Sequence, residues 1–280
     1  MRDINVSEIT KAIRKLCINA NYYLSEDVRK KLKEAYDNET FDIAKDVLSK
    51  LIINADIAKD DNVPMCQDTG VTCVYIEIGQ EVHIINGSLV DAINQGVRDG
   101  YEDGYLRKSV VIDPLNRVNT KDNTPAMIYY DIVPGDKLKI KVSPKGFGSE
   151  NMSKIKMLKP SDGVEGVKEF ILEVVKQAGP NPCPPIIVGV GIGGTFDKAA
   201  TIAKKSLLRP TTERNSNPYY AELEMELLDK INKLGIGPQG FGGKSTALAV
   251  NIEYFPTHIA GLPVAVNISC HATRHSEVEL

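Results

Sequence analysis

The hydrophobic period of this chain changes near residue 60, and that change narrows the folds open to it. Ahead of it, Ile9, Ala12, Ile13, Leu16, Cys17 and Ala20 fall at helical spacing, one stripe of a helix begun by Ser7. Ser25, with Glu26 and Asp27 behind it, N-caps a second helix carrying Val28, Leu32 and Ala35. Phe41, Ala44, Val47, Leu48, Leu51, Ile52 and Ala55 define a third. Beyond it, residues 71–78 and 137–142 read as strands, the latter alternating every two residues. A helix over 89–97 and a strand over 127–133 lie between them. Further on, Val164 to Ala178 form an amphipathic helix, capped by Ser161 and stopped by Gly179-Pro180. A buried strand over 186–190 and a helix over 196–208 follow, then a helix opened by Asn217-Pro218 and strands over 246–254 and 263–269. The fold class is therefore mixed α/β (α+β): a helical N-terminal segment, then mixed sheet with flanking helices. The 280 residues, 42% hydrophobic, supply a substantial core, and the expectation is a single domain over 1–280 with a soft subdivision near 145–160.

Lys plus Arg number 34 against 37 Asp plus Glu, so a nucleic-acid partner, which needs a basic excess, is not expected. The lysines at 154, 156 and 159 read as a solvated face. No apolar run reaches the roughly 18–20 residues that span a bilayer, and the N-terminus lacks a signal-peptide core; no membrane association and a cytoplasmic location are expected. Five widely spaced cysteines, an odd number, argue for reduced thiols over a disulfide framework.

Two glycine strings imitate nucleotide motifs. Gly189-Val-Gly-Ile-Gly-Gly194 matches G-x-G-x-x-G, but Gly189 falls inside a strand, so a tight strand-to-helix turn is the better reading. Gly240-Phe-Gly-Gly-Lys244-Ser245 lacks the first glycine of a phosphate loop, Pro238 standing there, and follows a helix instead of a strand.

The cysteines sort by setting. Cys17 and Cys73 lie on apolar faces and read as core. Cys66, Cys183 and Cys270 fall in loops or at element ends, held by nearby prolines and glycines. Each alone could be an inert surface thiol; three such loops in one chain point to a shared metal centre. Without C-x-x-C a zinc ribbon is disfavoured, yet a three-cysteine zinc site completed by His258, His271 or His275 stays open beside an iron–sulfur cluster.

Six motifs in order, Met65–Gly70 (MCQDTG), Gly146–Asn151 (GFGSEN), Gly179–Pro185 (GPNPCPP), Gly189–Thr195 (GVGIGGT), Gly240–Lys244 (GFGGK) and Ser269–Ala272 (SCHA), make the chain resemble the class I, iron–sulfur fumarate hydratases. Within them it is most similar to the separate alpha subunit of two-subunit forms, near the L(+)-tartrate dehydratase alpha subunit. The resemblance implies a hydro-lyase whose [4Fe–4S] cluster, ligated by Cys66, Cys183 and Cys270, leaves one iron open to substrate in the reversible hydration of fumarate to (S)-malate. It implies that Gln67, Asp68, Arg107 and Gly148 contact the dicarboxylate, with Asp68 as an acid/base group and His258 as an active-site histidine. The bland alternatives are that Asp68 caps its own turn, Arg107 pairs at the surface and His258 is a satisfied core histidine, while His271 reads as support for Cys270.

The sequence ends at Leu280, and single-chain members carry a further C-terminal domain. The expectation is that a separate beta subunit completes the site in a hetero-oligomer (alpha2beta2-like). Two alternatives are L(+)-tartrate dehydratase and, from another class, a non-catalytic metal-binding scaffold. Phe147 stands where this motif often has a small residue.

Overall fold

The structure, a computed structural model, describes all 280 residues. In chain order its elements begin with β1 (Arg2–Asn5), α1 (Val6–Tyr22), α2 (Glu26–Asn38), α3 (Asp42–Asp60), β2 (Val71–Gly79) and β3 (Val82–Ile85). Then come α4 (Leu89–Asp103), β4 (Met127–Val133), β5 (Leu138–Lys145), α5 (Phe147–Glu150), β6 (Lys154–Leu158) and α6 (Gly163–Ala178). The last are β7 (Ile186–Gly193), α7 (Phe196–Ser206), α8 (Pro218–Asn232), β8 (Ala247–Phe255), β9 (Leu262–Ser269) and β10 (Ser276–Glu279). Helices and mixed sheets alternate, the mixed α/β class. No helix is long and apolar enough to cross a membrane.

The periodic segments form the elements their spacing indicates, with shifts at the caps. Asn5, not Ser7, caps α1, its side chain accepting the Ser7 N–H at 2.9 Å. A 3-10 turn over Pro160–Asp162 precedes α6, so Asp162 takes the cap position read for Ser161. Asn217 caps α8 as its Asn-Pro signature indicates.

The chain divides into two compact units. The first comprises Met1–Leu24, Asn54–Phe147 and Arg274–Leu280. Its four-stranded sheet runs β10-β5-β2-β4, with β2 parallel to β4 and antiparallel to β5. Ile9, Ile13 and Leu16 of α1 and Ile93 and Val97 of α4 pack with Val74 and Ile76 of β2 and Ile140 of β5 in its core. A small parallel pair, β1 with β3, stands apart.

The second unit comprises Ser25–Ile53 and Gly148–Thr273. Its sheet runs β6-β9-β7-β8, with β7 parallel to β8 and antiparallel to β9. Strand β7 divides its residues by face. Val188, Val190 and Ile192 pack with Phe170 and Ile171 of α6 and Leu227 and Ile231 of α8. Gly189 and Gly191 face α7 instead: a Cβ added at Gly189 would sit 2.3 Å from the Ala203 carbonyl oxygen, and one at Gly191 2.1 Å from that of Ala199. These glycines therefore let a helix backbone lie directly on the strand, which is packing and not phosphate binding. Accordingly, Gly191→Ala should lower stability by about 1–3 kcal/mol through overpacking, read by urea unfolding; an unchanged midpoint would contradict this account.

Candidate active site

In the first unit the Cys66 segment enters β2, and the register brings three other chain segments to the same sheet end. Val71 lies opposite Lys145, Cys73 opposite Met127, and Val142 opposite Ser276. The residues after β5, before β4 and before β10 therefore surround the Cys66 loop. Asp68 is the knot. Its Oδ1 accepts the Gly70 N–H at 3.0 Å and its Oδ2 the Phe147 N–H at 2.8 Å. Its backbone carbonyl accepts from Nη2 of buried Arg274 at 2.7 Å. Thr69, also buried, donates its hydroxyl to the Arg107 carbonyl at 2.9 Å and accepts at its own carbonyl from Tyr101 Oη at 2.7 Å. Arg107 is thus pinned by its backbone, while its exposed guanidinium is engaged by no carboxylate of the chain. The Cys66 Sγ accepts the Asp68 N–H at 3.4 Å and lies 3.5 Å from Oε1 of exposed Gln67.

In the second unit Cys183 precedes β7 and Cys270 follows β9. Because the two strands are antiparallel, with Ile187 opposite Ser269, both cysteines emerge at one end of the sheet. The Cys183 carbonyl accepts the His271 N–H at 3.3 Å and lies 3.0 Å from His271 Nδ1. The Cys270 carbonyl accepts from the Thr273 N–H at 3.1 Å and the Thr273 hydroxyl at 2.8 Å. Cys183 itself adopts a left-handed backbone, φ 55°, unusual for a residue bearing a Cβ. Gly148 is exposed beside this loop; a Cβ there would lie 3.7 Å from the Asn181 carbonyl oxygen.

His258 is placed differently. It lies in the β8–β9 connection, exposed, with its Nδ1 accepting the Ala260 N–H at 3.2 Å. The eight residues of β9, about 25 Å of extended chain, separate that connection from Cys270. Within the second unit, then, Cys183, Cys270, His271 and Gly148 gather at one end of the sheet and His258 sits at the other.

The thiols differ in the same way as their settings. Burial pushes the Cys17 thiol up to about 12, and Cys73 is buried as well. Cys66 and Cys270 are half-buried and Cys183 is exposed, and none is in a disulfide. Three reachable soft donors on backbone-pinned loops fit an iron–sulfur or zinc centre and do not suit a hard cation.

In the first unit a reachable thiol, an unpaired guanidinium and an anchored carboxylate belong to one cluster of loops, chemistry compatible with an enzyme site. The chain belongs to the fumarate hydratase (Fumerase) family, which matches residues 10–279, and is therefore a hydro-lyase by family. It is 47% identical over 278 residues to a Methanocaldococcus jannaschii protein named "Putative L(+)-tartrate dehydratase subunit alpha", covering 96% of each chain. It is 35% identical over 273 residues to the L(+)-tartrate dehydratase subunit alpha of Escherichia coli K12, covering 96% of this chain and 89% of that one.

Sequence reasoning did not single out Arg274 and Thr69, which pin the Asp68 loop. Arg274 follows the third cysteine by four residues, in Cys270-His-Ala-Thr-Arg274, the one local signal that could have marked it. With iodoacetamide at pH 8, the metal-free native chain should carry label on Cys183 and Cys66 and none on Cys17; labelling of Cys17 at a comparable rate, read by peptide mass spectrometry, would contradict the burial described.

Proposed function

We propose that this chain is the alpha subunit of an iron–sulfur hydro-lyase that interconverts fumarate and (S)-malate. A [4Fe–4S] cluster is held by Cys66, Cys183 and Cys270, and a separate beta subunit completes the site. The observation that carries the reading is that Cys66, Cys183 and Cys270 each lie, within their own unit, in a loop whose backbone is held by hydrogen bonds beside a strand end, with the side chain outside the buried core, in a chain matched by the family over almost its whole length. When bound, such a cluster supplies a Lewis-acidic iron with a position not taken by the protein.

The chain's own groups do the rest. Arg107, uncommitted within the chain, binds a substrate carboxylate through two parallel N–H donors. Gln67 offers an exposed amide next to the Cys66 sulfur, and Gly148 leaves backbone uncovered by a side chain. Asp68 gives one lone pair on each oxygen to the backbone N–H groups of Gly70 and Phe147, which fixes the carboxylate. Each oxygen keeps a second lone pair, so an anchored Asp68 still accepts a proton from the carbon next to the one that carries the hydroxyl. The length of β9 denies His258 to a thiol-bound substrate of its own chain; in this reading it serves the site of a second copy, within a hetero-oligomer.

The tartrate dehydratase names of the relatives favour a second reading, dehydration of L(+)-tartrate, with the same groups in the same roles. Anaerobic co-expression with the candidate beta subunit, assayed with fumarate, (S)-malate and L(+)-tartrate in turn, decides the substrate. The complex should hold about four irons per chain and the isolated chain should be nearly inactive. Arg107→Lys should lower kcat/KM by about tenfold to a hundredfold, mostly through KM, as a bidentate contact is lost. Stoichiometric zinc without hydratase or dehydratase activity would make the chain a scaffold and overturn the proposal.

A further inference from the structure

The glycine string ahead of β8 resembles a phosphate loop in sequence, yet its backbone is already committed. The Lys244 N–H donates to buried Glu39 at 2.8 Å, the Gly242 N–H to the Ile236 carbonyl at 2.9 Å, and the Gly237 N–H to the Thr246 hydroxyl at 3.1 Å. Burial alone would raise the Glu39 carboxyl, but the N–H groups of Lys244, Phe41 and Thr40 outweigh it and hold it below the usual carboxylate range. Gly240 packs so close to Pro180 that a Cβ would lie 2.4 Å from the proline Cβ. The loop therefore leans on the segment that carries Cys183. Strand β8 is parallel to β7, so the residues before each emerge at the same end of the sheet.

At that contact the peptide after Cys183 is gripped from two sides. The Pro184 carbonyl accepts both from the Gln239 N–H at 2.7 Å and from Gln239 Nε2 at 2.8 Å. The preceding carbonyl, that of Cys183, is taken by His271, whose Nδ1 also lies 3.2 Å from Gln239 Nε2. Gln239 holds a left-handed backbone, φ 51°, to present both donors at once. We infer that Gln239 is a positioning residue that locks the Cys183 loop against the Cys270–His271 turn, so that the glycine string serves as a clamp on two cysteines and not as a ligand loop. The consequence for metal retention rests on the reading of Cys183 and Cys270 as ligands of one cluster; the clamp itself does not.

Two variants separate the side-chain donor from the backbone. Gln239→Gly accepts the same φ and loses Nε2, while Gln239→Glu keeps the volume and loses the donor. In the metal-free chain, hydrogen exchange over residues 181–186 and 270–273 should rise about tenfold in both variants, with the rest of the second unit and the thermal midpoint unchanged. After anaerobic reconstitution, both should release iron to a chelator about tenfold faster than the unsubstituted chain. Exchange unchanged in both loops, or raised evenly across the unit, would overturn the clamp. If the unsubstituted chain takes up no iron while the loop-confined exchange still appears, the cluster reading fails and the clamp stands.

Discussion

The organisation of both units depends on one arrangement: a cysteine loop entering an inner strand, secured by hydrogen bonds to its backbone. Loop carbonyls and N–H groups at a strand end have left the ladder and need partners. Here the partners are mostly long-range and often buried: Arg274 and Tyr101 for the Asp68–Thr69 carbonyls, His271 and Gln239 for the Cys183–Pro184 carbonyls. Fixing the main chain this way holds the loops while the thiols of Cys66, Cys183 and Cys270 stay outside the buried core. A ligand set organised before metal arrives loses less conformational entropy on binding it.

The same separation of anchoring from chemistry runs through the charged groups. Arg209 and Glu224 pair in the interior of the second unit, where Glu224 also accepts from the Ile252 N–H at 2.8 Å, and this tie joins α8 to β8. Arg274 serves the Asp68 loop. Arg107 is left with an exposed guanidinium and a backbone that cannot drift, because Thr69 holds its carbonyl. A cation kept without an internal partner next to a reachable thiol loop suits the anionic substrate proposed above.

Much of this was legible in the sequence, and the remainder was hidden for identifiable reasons. Helices α1, α4, α6 and α8 announce themselves by period and caps, and β7 by its apolar run. Strands β1, β3, β6 and β10 do not. They are four or five residues long with at most one buried residue each, and β6 reads as a charged face because Lys154 and Lys156 project from an edge strand. The loop cysteines stand out by composition. Their clamps do not, since Asp68 and Arg274 are 206 residues apart and Gln239 and Pro184 55 apart, and no periodicity links such pairs. For His258 the resemblance implies an active-site place, and the twelve residues from it to Cys270 include the extended strand β9, a separation that sequence distance alone does not show.

The central claim is that Cys66, Cys183 and Cys270 converge on one cluster, leaving an iron without a protein ligand. Diffraction at the iron absorption edge, from anaerobically grown crystals of the complex with the candidate beta subunit, tests it directly. The account predicts a single anomalous peak touching the sulfurs of these three cysteines and no fourth side chain. A peak bonded to a fourth protein ligand, or a cysteine of the three lying away from it, would contradict it.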